Sequence, residues 1–138
     1  MSKKKLNKAW IIAGIGATFI VILLVAPCFL GGGHKRDTRS DLETARTWAR
    51  LDPLPATATN LSVNTQGGMF SREFVITFTA PMKDIDKWLA SSPGTAGVAP
   101  TRTGSERIYK IKAGGGAQFA QVKVDESNGR VEIYTYWS

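Results

Sequence analysis

The chain has 138 residues, a formal net charge of +7 and one cysteine. Nine Lys and Arg stand against three Asp and Glu in residues 1–50, and nine against eight in residues 51–138. The basicity thus belongs to the amino-terminal part, the near-neutral remainder argues against a nucleic-acid-binding face, and a single cysteine excludes a disulfide framework.

Lys3, Lys4, Lys5 and Lys8 precede Trp10–Leu30, which runs 21 residues without a charge. A helix of that length is about 31 Å long and matches a bilayer core of about 30 Å. Each amide in hydrocarbon must be satisfied within the segment, so a transmembrane helix is expected. A cleaved secretory signal would have a shorter apolar core, of about 7–15 residues. A lipoprotein signal would need a small residue before Cys28, where Pro27 stands. The basic residues after the span, Lys35, Arg36, Arg39, Arg46 and Arg50, are more dilute than the lysines before it. That density places the amino terminus inside and the rest outside. The expected location is the cytoplasmic (inner) membrane, crossed once, with lipid contacted through Trp10–Leu30. Ala9, Ala13 and Ala17 share one helix face, and close approach of such faces predicts a weak homodimer through the span.

The spacing divides the chain into a basic flank (1–9), the span (10–30), a Gly-rich linker (31–39) and a small extracytoplasmic domain (40–138). Ser40-Asp41-Leu42-Glu43 reads as a capping box opening a helix. Leu42, Ala45, Trp48 and Ala49 give it an apolar stripe, and Asp52-Pro53 is expected to end it. Leu54-Pro55-Ala56-Thr57 imitates a sortase signal, but Ala58 follows instead of Gly and no apolar tail comes next. It reads as an extended entry to a strand. Asn60-Leu61-Ser62 fits a glycosylation acceptor, a pattern frequent by chance.

Asn60–Thr65 and Phe70–Thr79 read as strands joined at Gln66-Gly67-Gly68, and the second alternates with Phe74, Ile76 and Phe78 on one face. Pro81 opens a helix with Met82, Ile85, Trp88 and Leu89 on its apolar side, and Ser92-Pro93-Gly94 stops it. A Thr/Gly/Pro-rich loop runs to Ser105. Arg107–Lys112 is a strand, Gly114–Gly116 a flexible turn, and Gln118–Asp125 and Arg130–Trp137 a hairpin around Glu126-Ser127-Asn128-Gly129. The expectation is an α+β domain of order α-β-β-α-β-β-β, about five antiparallel strands packed on one helix.

Leu54–Leu61, Phe74–Gly94 and Val122–Trp137 together resemble small uncharacterised bacterial domains carried on lipoprotein or single-span anchors. The resemblance covers about the last 85 residues. It implies a compartment and a fold, and no catalytic residue, ligand or cofactor.

The residue census disfavours an enzyme. The single histidine, His34, lies in the linker, so the domain offers neither a Ser-His nor a Cys-His pair, and no zinc ligand set. Asp84 and Asp86 are two apart on a helix and do not share a face. Asp125, Glu126 and Asn128 lack the twelve-residue calcium loop, and Gly114–Gly116 lacks the Lys-Ser/Thr of a phosphate loop. No catalytic, cofactor or metal residue is assigned. The favoured reading is a non-enzymatic interaction module with a protein partner in the envelope; the alternative is a hydrolase-like enzyme built from carboxylates and hydroxyls alone.

The residues proposed to touch a partner are Tyr134, Tyr136, Lys123 and Gln121. Alternation places the tyrosines opposite Val131 and Ile133, and the hairpin brings Gln121 and Lys123 to the same side. Aromatic rings serve packing more often than recognition. The first expectation is therefore that residues 40–50 fold over both rings, with Trp48 in contact. The second is an open binding face.

Overall fold

Asp37, not Ser40, opens the first helix, α1 (Thr38–Ala49), by accepting a 3.2 Å hydrogen bond from the Arg39 amide. The expected capping box is not formed. Ser40 lies inside the first turn, its carbonyl takes the Thr44 hydroxyl, and Glu43 turns away to Arg46 at 2.8 Å. An ionised carboxylate at the N-cap both satisfies an orphan amide and complements the helix dipole. The other end also closes early. Arg50 adopts the left-handed conformation (φ 54°, ψ 45°), and the amides of Arg50 and Leu51 donate back to Thr47 and Arg46. This double return ends the helix before Asp52-Pro53 is reached and turns Leu51 into the core.

The computed structural model describes residues 37–138. The expected span Trp10–Leu30, with its alanine face, Cys28 and His34, lies outside the described residues. Among the described residues no helix is long and apolar enough to cross a membrane.

After α1 come β1 (Thr59–Gln66), β2 (Arg72–Thr79), a second helix α2 (Met82–Ser91), β3 (Thr101–Thr103), β4 (Glu106–Ile111), β5 (Phe119–Asp125) and β6 (Arg130–Trp137). The architecture is α+β. The strands form one antiparallel sheet in the order β1-β2-β6-β5-β4-β3, so the last strand sits between β2 and β5. The expected strand count of about five becomes six. The added strand, β3, lies in the stretch read as a loop; its three residues are all exposed and carry no apolar alternation to betray it. It folds back on β4 through Gly104, whose φ of 59° suits a tight turn.

One sheet face holds the core. Phe74, Ile76 and Phe78 of β2 lie beside Val131, Ile133 and Thr135 of β6, then Ala120, Val122 and Val124 of β5, all buried. Two helices cover this face, where one was expected. Trp48 of α1 meets the Phe74 ring edge-on at 5.1 Å, and Trp88 of α2 meets Phe78 at 5.6 Å. Width explains the need for both. Six strands about 4.8 Å apart make a face roughly 24 Å across, and one helix about 10 Å in diameter cannot cover it. The predicted stripe of α2 is in place: Ile85, Trp88 and Leu89 are buried and Met82 packs beside them.

The Gly114–Gly116 turn does more than reverse the chain. Gly114 donates its amide to the Trp48 carbonyl at 2.8 Å, and a Cβ on Gly115 would lie 2.8 Å from the Trp48 ring. The glycines let this turn sit against the end of α1.

Candidate partner-binding face

Alternation along four strands builds the second face of the sheet. With both helices committed to the core side, none of its residues is buried. Val75, Tyr134, Gln121 and Lys110 stand in one cross-strand row. Thr77, Glu132, Lys123 and Ile108 form the next. Glu73, Tyr136 and Phe119 form a third. The structure therefore brings together all four residues expected to meet a partner, Tyr134, Tyr136, Gln121 and Lys123. The expectation that residues 40–50 cover the tyrosines is corrected. Trp48 lies on the opposite side against Phe74, because the wide, largely apolar face of β2 and β6 is the one that must be shielded from water.

Tyr134 is half-buried among its neighbours. Its ring lies 5.7 Å from Phe119, tilted by 58°. Desolvation pushes its phenol above the ordinary tyrosine range, and the neighbouring Glu73 carboxylate adds to the rise. It is a neutral donor at any physiological pH. Lys123 is less available than its position suggests: its ammonium lies 3.6 Å from Glu106 and 3.9 Å from Glu132. Such half-exposed pairs are worth little in stability and exchange partners readily. Phe119 was not singled out from the sequence, although it shares parity with Gln121 and Lys123 and is 39% exposed. The alternation along Gln118–Asp125 already puts Phe119 on the side of Gln121 and Lys123.

At the hairpin end of this face, Glu106, Lys123, Asp125, Asn128, Arg130 and Glu132 line a polar hollow of about 200 Å³. Asp125 is spoken for. Its carboxylate accepts from the Ser127 hydroxyl (2.6 Å) and amide (3.0 Å), the Ser105 hydroxyl (3.0 Å) and the Asn128 side chain (2.8 Å). These bonds, Ser127's first, hold it below the usual carboxylate range against the opposing effect of desolvation. A carboxyl kept ionised in this way organises a turn and is a poor general acid near neutrality. Among the described residues no group of three or more His, Cys, Asp or Glu side chains is placed to hold a metal.

On the helix side, a groove of about 340 Å³ lies between α2 and the proline-rich entry to β1, lined by Pro53, Pro55, Thr57, Asp84, Lys87 and Trp88 among others. Thr57 donates its hydroxyl to Asp84 at 2.7 Å, and Trp88 donates its ring N–H to the Asp52 carbonyl at 3.1 Å. Asp86, on the next face of α2, is taken by Arg107 at 2.7 Å. The two aspartates thus serve separate partners, as their spacing requires.

No family model, curated protein or solved structure matches this chain.

Proposed function

We propose that the chain is a membrane-tethered, non-enzymatic interaction module, held on the outer side of the cytoplasmic membrane by Trp10–Leu30, whose open sheet face takes a protein partner. The observation that carries the reading is the patch of half-buried Tyr134, Tyr136 and Gln121 with exposed Phe119, on a face that both helices leave uncovered. Tyrosines on a stiff sheet offer large contact area at little cost in side-chain entropy, and aromatic residues are enriched at interfaces. The flanking ion pairs of Lys123 form a polar rim.

The test is site-specific photo-crosslinking in intact cells of the source organism, with the full chain carrying the crosslinker at Gln121. A single adduct of defined mass is expected, and Tyr134→Ser with Tyr136→Ser should abolish it while the chain remains folded and membrane-bound. Crosslinking that survives the double substitution, or none at all, overturns the assignment of this face. A reporter active only outside the cytoplasm, fused after Ser138, should be active; activity confined to the cytoplasm overturns the orientation.

The alternative, a hydrolase-like enzyme of carboxylates and hydroxyls, draws on one contact: the Thr57 hydroxyl bonded to Asp84 at the mouth of the Trp88 groove. Ester turnover that disappears in Asp84→Asn and Thr57→Val would favour it over the binding module.

A further inference from the structure

The end of the sheet where β2 begins and β6 finishes carries apolar side chains that core packing does not use. Met69 and Phe70, in the turn between β1 and β2, are 87% and 79% exposed. Trp137 and Phe119, at the adjoining ends of β6 and β5, are each 39% exposed. Arg72 stands opposite Trp137 in the β2–β6 register, and both line a groove of about 360 Å³ with Met69 and Trp48. The described chain starts at the same corner. Asp37, Ser40 and Asp41 line a hollow with Thr65 and Arg72, and Thr65 donates its hydroxyl to Asp41 at 2.6 Å.

We propose that this corner docks on an anionic phospholipid surface, with Met69 and Phe70 entering the headgroup region as an apolar wedge. The inference rests on the tethered reading above. Chain length supports it: seven peptide steps separate Leu30 from Asp37 and reach at most about 25 Å. A corner so close to the end of a span cannot leave the neighbourhood of the bilayer. Chemistry points the same way. Aromatic rings settle at the membrane–water interface, and apolar residues of surface-bound elements enter it by about 5–10 Å. Exposed apolar clusters rimmed by polar groups mark interaction sites. Arg72 in the strand and Arg39 in the first turn of α1 supply cations for phosphate. Asp37 and Asp41 keep their charge while accepting from the Arg39 amide and the Thr65 hydroxyl, but Arg39 and Arg72, with Lys35 and Arg36 of the connecting sequence, outnumber them and Glu73. Docked by this end, β2 and β6 rise away from the lipid, and Tyr134 and Tyr136 face sideways toward a partner in the same membrane.

The experiment uses the full chain with Cys28→Ser in vesicles of phosphatidylcholine mixed with phosphatidylglycerol. One environment-sensitive nitrobenzoxadiazole label is placed at Phe70→Cys or, as a control at the far end of the sheet, at Ser127→Cys. The label at position 70 should emit to the blue and be quenched severalfold more by brominated lipid than the label at 127. Arg39→Gln with Arg72→Gln, or vesicles of phosphatidylcholine alone, should reduce that quenching. An unshifted label at position 70 in a chain that resists carbonate extraction overturns the proposal and leaves the tether standing. A blue shift without quenching by brominated lipid also overturns it, since the tip is then buried against protein, whether a second copy or another chain. A chain removed from vesicles by carbonate overturns the tethered reading, and the docked corner with it.

Discussion

Thr135 is fully buried on the core face of β6, and its hydroxyl has no hydrogen-bond partner among the described residues. A buried, unpaired hydroxyl costs about 1–3 kcal/mol in lost solvation. Thr135→Val keeps the shape and removes the group, so a gain of about 1 kcal/mol is expected. Thermal denaturation of the detergent-solubilised chain checks it, and an unchanged or lower melting temperature would show that the hydroxyl is satisfied. Arg107 is the opposite case, a nearly buried cation fully surrounded. Desolvation alone would lower its pKa, but its hydrogen bond with Asp86 and the carboxylate charges of Asp86 and Glu126 act against burial, and the net shift is upward. Its Nε lies 2.8 Å from Glu126 but is not aligned for a hydrogen bond, so that contact is ionic. Asp125 gives a pH dependence. Its folded pKa lies below the unfolded value of about 3.9, so its contribution is present above that pH and is lost as pH falls through the folded value. Asp125→Asn should therefore lower stability at neutral pH and make the acid limb of the stability curve shallower. Acid titrations of the two chains that run parallel would contradict this.

At the scale of elements, the joint between α1 and the β4–β5 turn is a close one. A Gly115 side chain would press on the Trp48 ring, and Gly115 itself has φ of 60°, where L-residues are strained. Gly115→Ala should cost at least about 1 kcal/mol, from backbone strain and the displaced ring together. The same experiment on Gly116, where a Cβ would meet nothing, isolates the backbone part, since its φ is also positive at 88°. Equal losses at the two sites would mean that Trp48 simply moves aside. In α2 the corresponding anchor is Trp88, 4% exposed and edge-on to Phe78. Trp88→Ala should cost about 3–5 kcal/mol, the usual range for an aromatic lost from a core. An unchanged melting temperature would remove it from that role.

For the whole molecule, the order of strands sets where stability concentrates. β6 is flanked by β2 and β5 and lies under α1, whereas β3 has three exposed residues and one neighbour. Amides of Val131, Ile133 and Thr135 should exchange with solvent only on global unfolding, and those of the β3–β4 turn by local opening. Hydrogen exchange followed by mass spectrometry reads this directly; early exchange in β6 would contradict the topology. The long edge, β1, is protected differently. Asn60 takes a left-handed φ of 52° where the register with β2 shifts between Thr59 and Ser62. That irregularity bends the edge and discourages pairing with another chain.

The periodicity of the residues by itself determined the two helices, the strands β1, β2, β4, β5 and β6, and the side of each strand that faces the core, because alternation and the 3.6-residue repeat are local properties of a chain burying apolar surface. It also put Tyr134, Tyr136, Gln121 and Lys123 on one side of the sheet, while the pairing of Tyr134 with Gln121 came from the register. It missed β3 because Thr101–Thr103 buries nothing, and misplaced the first N-cap because two capping signals three residues apart competed. Which side α1 covers was decided only in three dimensions. Trp48 carries no local sign of its target; it rests on Phe74 because β6 enters the middle of the sheet and makes an apolar face too wide for α2 alone. The absence of a helix over Tyr134 and Tyr136, and the gathering of Met69, Arg72 and Trp137 in one groove with Trp48, follow from that placement rather than from any neighbouring residue.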